Sequence, residues 1–349
     1  MHFGLPLSGM IDAASFINAL CKNLHCDEQS YKGTNLKLSS GDVAFMAIFA
    51  ALSAVVIRLL PGIPIVGVAG ASIKFDAVLA PIYGLIIGPY LGFAAALFGG
   101  LITAGSLFDI LTSFSPAVSA LVAGFLTKEN VGNGGGKIKG WMLAATILGL
   151  LIVGWYLTGV GQQAPFYPVL HFAGLVFILA TRGWTAKAFK EVKTEAEKWH
   201  MRPISLLTGI STWVVAYMFT RPYSSDVWVL SYLSIPMFLV GGILVVYSLF
   251  GMGRSSFVLA VSMVSYCGII ADHMLGNLVF IASIDVFIPF SVIEDYFLKP
   301  FGLPNVPALF MYMIPISALE RILFTIVATI IGIGLILALR RANLLTRKL

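Results

Sequence analysis

Charge is the scarcest commodity in this sequence. Only 11% of its 349 residues are Asp, Glu, Lys or Arg, 58% are hydrophobic, and the mean hydropathy is +0.93. So few charges cannot cover a water-facing globule of this length, which leaves a polytopic membrane protein. Cysteine is nearly missing as well, with Cys21, Cys26 and Cys267 the full set. Cys21 and Cys26 flank His25, but a zinc site needs four ligands and this segment offers three at most, so no metal is expected there. Reduced thiols are the expectation for that pair, and a packing role for Cys267. Catalytic signatures are absent too: the chain has no Gly-x-Ser-x-Gly elbow, no His-Glu-x2-His pair and no Cys-x2-Cys pair. The stretch Val131 to Ile138 looks superficially like a phosphate loop, yet a Walker motif requires Gly at position 131 and Ser or Thr at 138. It reads as a turn. The expectation is a non-enzyme without cofactors, whose ATP-driven steps, if any, belong to separate ATPase subunits. Residues 1–40 also lack the basic start and continuous apolar core of a secretory signal.

What the chain does have is hydrocarbon-length runs. Crossing about 30 Å of lipid takes roughly 20 apolar residues. Runs between charge and turn clusters predict an all-α polytopic membrane protein with about ten transmembrane helices. They are Asp42 to Leu60, Ile73 to Ile87, Pro89 to Phe108, Ile110 to Leu126, Lys139 to Thr158, Phe166 to Thr181, Pro203 to Thr220, Val227 to Phe250, Ser256 to Ile284 and Ala308 to Leu339. The second, fourth and sixth are short, which makes the range eight to ten.

The basic residues give an independent handle on topology. Of the 22 Lys and Arg residues, only Arg58, Lys74, Arg221 and Lys299 fall on one side of the threaded chain, with Arg321 inside the last span. All the others gather on the opposite side, which the positive-inside rule makes cytoplasmic. Both termini are therefore expected in the cytoplasm and the protein in the cell membrane. The net charge of +6 is explained by basic loops facing anionic membrane lipid and requires no nucleic acid. Within residues 1–41, Met10, Ala14, Ile17, Cys21 and Leu24 recur at helical spacing and suggest an amphipathic surface helix. Trp184, Ala188, Val192 and Ala196 suggest another interfacial helix within the basic segment 182–202.

Candidate functional residues stand out because ionisable groups at membrane depth are costly and mark partners or pathways. Asp272 and His273 lie inside a long run, with Asn277 one turn beyond His273. They can fix a polar heterocycle or a carboxylate-bearing ligand, with Tyr266 and Phe280 as apolar walls, or else form an interhelical hydrogen-bond clamp. Lys74 and Asp76 open the second span beneath the loop Arg58 to Ile73, where they either meet a solute or snorkel to the interface. Asp109 and Asp285 read as interface residues and His171 as a packed imidazole. Glu320 and Arg321 adjoin and so point to different faces, each toward another helix. Ala47, Ala51 and Ala54, with Ala50, form small-residue faces suited either to intramolecular packing or to docking of a second membrane subunit.

Several of these features resemble the substrate-binding S component of an energy-coupling factor (ECF) transporter, a vitamin-importing branch of the ABC class. Ala47-x3-Ala51 and Ala50-x3-Ala54 match the face that meets the coupling subunit in that family. The proline-containing loop Pro61 to Pro64, the entry Lys74-Phe75-Asp76, the turn Gly88-Pro89 and the last span around Ala318 to Ile322 match as well. The resemblance implies a six-helix bundle contributed by residues 42–126 and 251–349, interrupted by an inserted stretch, 127–250, that carries the basic segment, and preceded by residues 1–41. It also implies a solute-binding subunit for a small vitamin-like molecule, working with a separate transmembrane coupling subunit and ATPase subunits. Lys74, Asp76, Asp272, His273 and Asn277 would bind the solute, and Ala47, Ala51 and Ala54 would dock the partner. A structural subunit of a larger membrane complex and a self-sufficient proton-coupled carrier are the alternatives.

Overall fold

A computed structural model describes residues 39–59, 63–64, 72–73, 76–132, 137–190, 203–219, 237–246, 248, 255–342 and 344. All but Gly132 belong to the compact unit formed by Leu38–Val131 and Lys137–Leu349. The N-terminal surface helix, Cys21, His25 and Cys26, Lys74, most of the loop between the first two spans, and residues 191–202 of the basic segment lie outside the described residues.

The apolar runs become helices. They are α1 (Ser40–Leu59), α2 (Asp76–Ile87), α3 (Pro89–Thr103), α4 (Leu107–Thr112), α5 (Phe114–Leu126), α6 (Gly140–Leu157) and α7 (Gly159–Gln163). There follow α8 (Val169–Thr181), α9 (Trp184–Lys190), α10 (Pro203–Phe219), α11 (Met237–Val246), α12 (Ser255–Ser283), α13 (Phe290–Ile293) and α14 (Val306–Arg341). Two-residue ribbons pair Ile63–Pro64 with Ser72–Ile73 and Asn130–Val131 with Ile138–Lys139, so the two ends of the phosphate-loop look-alike, Val131 and Ile138, pair with each other. Among the described residues, five helices are long and apolar enough to cross a membrane: α1, α4 with α5, α6, α12 and α14. Helices α8 and α9 together make a sixth, bent by 68°. The bend has a local cause, since Arg182 and Gly183 both take left-handed backbone, with φ 43° and 89°, and so end α8.

Helices α2, α5 and α12 form the centre, with α3 and α14 packed around them and α6 and α8 laid against α12. Small residues set these distances. A Cβ on Gly84 of α2 would run into the carbonyl oxygen of Ala120 on α5, and one on Gly124 would run into Pro89 at the start of α3. Backbones therefore touch, the mode of association expected where lipid offers no hydrophobic drive between helices. The outward faces stay apolar, with Ile48, Val55 and Leu59 on α1 and Leu150, Val153 and Leu157 on α6 exposed. Polar ties fix the ends. Ser53 and Tyr83 hydroxyls meet at 2.9 Å, and Arg58 donates to the Thr103 carbonyl at 3.2 Å.

Basic groups collect where α5 and α14 finish. Arg340 donates to the Phe189 carbonyl at 2.6 Å, Thr185 to the Leu126 carbonyl at 2.8 Å, and Lys190 Nζ lies 2.6 Å from Glu129 Oε2. The Lys190 ammonium hydrogen-bonds Glu129 and holds its carboxyl below the ordinary range. The short α9 buries Thr185, Ala186, Ala188 and Phe189 against α12, so this part of the basic segment is packed rather than lying free on a surface.

Replacing Gly84 by Val should cost on the order of 2 kcal/mol or more through overpacking against α5. Thermal unfolding in detergent should show a clear fall in melting temperature for Gly84→Val. Gly149→Ala, where a Cβ meets open space, should show none. Equal melting temperatures for the two variants would contradict the backbone contact.

Candidate functional site

The helical period turns Asp272, His273, Gly276, Asn277 and Phe280 of α12 to one side, and Met313, Ser317, Glu320, Arg321 and Phe324 of α14 to a facing side. Between them lies a cavity of about 510 Å³, closed further by the C-terminal ends of α1 and α3 and the N-terminal ends of α2 and α5. Four of the five residues expected to bind solute, Asp76, Asp272, His273 and Asn277, line this one space despite their separation in sequence. The fifth, Lys74, lies outside the described residues. The cavity sits at the end of the bundle away from Glu129, Lys190 and Arg340, because α12 and α14 reach it with their C-terminal and N-terminal halves respectively.

Part of the polar cluster is a clamp. The Tyr167 hydroxyl lies 3.1 Å from His273 Nε2 and accepts from Asn277 Nδ2 at 3.0 Å, tying α12 to the turn before α8. One turn of helix puts His273 and Asn277 side by side, which is why both reach the same hydroxyl. Asp272 stands apart from this clamp. It is only 8% exposed, lines the cavity, and makes no hydrogen bond or ion pair among the described residues. His171 is fully buried, as expected of a packed imidazole, but it is not isolated: its ring stacks on His273 with centroids 5.4 Å apart.

The wall opposite is aromatic. Tyr167 stacks on Trp155 at 4.7 Å, and Phe310 meets both rings edge-on at 5.0 Å. Phe280, an expected wall residue, packs against Phe310 at 6.2 Å and lines the cavity. Tyr266 does not line it. Its hydroxyl donates to the Leu170 carbonyl at 2.8 Å, two turns below His273, so it ties α12 to α8 instead.

Two further expectations are corrected. Arg321 donates to Glu320 Oε1 at 2.7 Å, so the neighbours pair with each other rather than each with another helix. Both side chains are long enough to curl together around the helix, and in an apolar bundle the nearest counter-charge wins. The guanidinium also lies 5.5 Å from the Phe324 ring centre. Asp109, read as an interface residue, lines the cavity while accepting from Ser106 Oγ at 2.8 Å and Gly105 N at 3.1 Å at the start of α4. Asp285 does close a turn, accepting from Phe290 N at 3.0 Å.

Tyr167, Phe310 and Ser317 were not legible as site residues. The spacing Met313, Ser317, Glu320, Arg321, Phe324 was a usable signal, because it draws one polar-bearing face on an otherwise apolar helix. On α1, Ala47 and Ala51 are exposed and Ala54 half-buried, whereas Ala50 is buried toward α3, where Gly99 approaches its carbonyl. Among the described residues no group of three His, Cys, Asp or Glu side chains is placed to hold a metal ion. No family model matches the chain, and neither a curated protein nor a solved structure is significantly similar to it.

Removing the Tyr167 hydroxyl leaves His273 and Asn277 without their shared partner, at a cost of about 1–3 kcal/mol. Tyr167→Phe should therefore lower the melting temperature in detergent. An unchanged melting temperature would show that the clamp contributes nothing.

Proposed function

We propose that this protein captures a small solute in a membrane-embedded cavity and hands it inward, as the solute-binding subunit of an ECF-type importer. One observation carries the reading: residues scattered from Asp76 to Asn277 converge on a single space of about 510 Å³, a volume in the range of small-molecule sites. Aromatic walls with a few convergent polar groups suit a vitamin-like or heterocyclic molecule. The basic residues at the other end of the bundle support an orientation with that end in the cytoplasm, in the plasma membrane, and the cavity toward the outside. In this reading α2, α3, α10 and α11, which are shorter than a full span, join the longer helices to give about ten crossings.

Transport then needs partners. No ATPase motif is present, so energy comes from separate ATPase subunits through a transmembrane coupling subunit. The exposed Ala47 and Ala51 offer a smooth, small-residue surface on which a partner helix can approach closely. A second reading, a self-sufficient proton-coupled carrier, draws on Asp272 and His273 lining one cavity, with the His171 ring stacked on His273.

Purification in mild detergent followed by native mass spectrometry separates the two. The expected result is co-purification with a membrane subunit and ATPases, lost in an Ala47→Leu, Ala51→Leu double variant that still retains its solute. Absence of any ATPase, together with pH-driven uptake by the reconstituted chain alone, would transfer the case to the carrier.

A further inference from the structure

The cavity's charges are not equivalent. Glu320 holds Arg321 Nη2 at 2.7 Å and that guanidinium faces the Phe324 ring, so among the described lining residues a single guanidinium stands against Asp76, Asp109, Asp272 and Glu320. The Asp109 carboxylate accepts from Ser106 and Gly105. Asp272 is attracted by Arg321 only at a distance. The residue is more than nine-tenths buried, lines the cavity, and makes no hydrogen bond or ion pair among the described residues. Withdrawing a carboxylate from water is costly unless a donor or positive charge replaces the lost hydration. Among the described residues Arg321 attracts this carboxylate, but from beyond ion-pair distance, which leaves the cavity as the place where a donor completes it.

The surroundings favour a particular kind of replacement. Phe280 lies two turns along α12 from Asp272 and lines the same space with Phe310 and Tyr167. Aromatic faces attract cations through the negative charge of their π clouds, most strongly where water is excluded. His273 Nε2 and Asn277 Nδ2 are committed to Tyr167, which leaves Asp272 as the lining carboxylate that no hydrogen-bond donor reaches among the described residues.

Resting on the solute-capture reading, we infer that the cavity selects a small organic cation: a positively charged or protonated nitrogen held by Asp272, attached to an apolar or aromatic body held against Phe280, Phe310 and Tyr167. An anionic solute of the same size would meet Asp76, Asp109, Asp272 and Glu320 against a single guanidinium among the described lining residues and would be rejected.

Three near-isosteric probes test this on the purified full chain: benzylammonium, benzyl alcohol and benzoate, titrated at neutral pH by calorimetry and by the shift in melting temperature. Benzylammonium should bind at least ten-fold more tightly than either of the others. Asp272→Asn, which keeps the shape of the side chain, should abolish that preference while eluting and melting as a folded protein. Equal or tighter binding of benzoate, or an unaltered preference in Asp272→Asn, would overturn the cation assignment and leave solute capture standing. If none of the three binds, native mass spectrometry of the protein as isolated decides. A retained molecule without a cationic nitrogen overturns the assignment, a retained cation lost in Asp272→Asn supports it, and the absence of any retained molecule removes the capture reading itself.

Discussion

A buried carboxylate that makes no hydrogen bond or ion pair among the described residues, Asp272, is the constraint around which the cavity is organised. The polar groups around Asp272 are tied in part: Tyr167 with His273 Nε2 and Asn277, Glu320 with Arg321, Asp109 with the start of α4, whereas His273 Nδ1 and Arg321 Nε have no hydrogen-bond partner among the described residues. The Glu320 and Asp109 ties are local, whereas the Tyr167 tie spans over a hundred residues of sequence and holds α12 to the turn before α8 beside a space that these groups do not fill. The polar groups that close the bundle thus also define what is left open, and Asp272 is what faces it.

The close packing elsewhere makes that opening affordable. Where Gly84 and Gly124 let α2, α3 and α5 meet backbone to backbone, the apolar half of the bundle is dense and needs few polar ties. At the other end of α12 and α14 the side chains around the cavity are large and aromatic, with Phe280, Phe310, Phe324 and Tyr167 in its lining. Small residues at one end and large ones at the other give the two ends different characters. The proposed role in solute capture rests on that asymmetry.

Much of this was legible in the sequence, for identifiable reasons. Helix positions were readable because lipid demands uninterrupted apolar length, and the expected runs agree closely with α1, α5, α6, α12 and α14. Asp272, His273 and Asn277 could be picked out because a charge within an apolar run is expensive and therefore rare. The rest depended on tertiary distance. Tyr167 sits in a Pro-Phe-Tyr-Pro turn that looks like any loop, and only the fold brings its hydroxyl to α12. Tyr266 was mistaken for a wall residue because two helical turns preserve the face but shift it about 10 Å along the axis, out of the cavity. Adjacent Glu320 and Arg321 were assigned to different helices because their Cα directions diverge, although their long side chains close that gap. The division into a six-helix core and an insertion rested on family resemblance, and chain packing alone does not distinguish α6 and α8 from core helices, since both lie directly on α12.

The space beside Asp272 is proposed to open to the outside of the cell. Gly276 lines that space and has room for a side chain, with only the Ser115 hydroxyl near a Cβ, at 3.6 Å. A Gly276→Cys variant treated in intact cells with a membrane-impermeant thiol reagent measures the claim directly, because Cys267 is buried and the N-terminal Cys21 and Cys26 are assigned to the cytoplasm. The account predicts modification from outside, at a rate slowed by solute. Modification only after the reagent is admitted to the cytoplasm would contradict it.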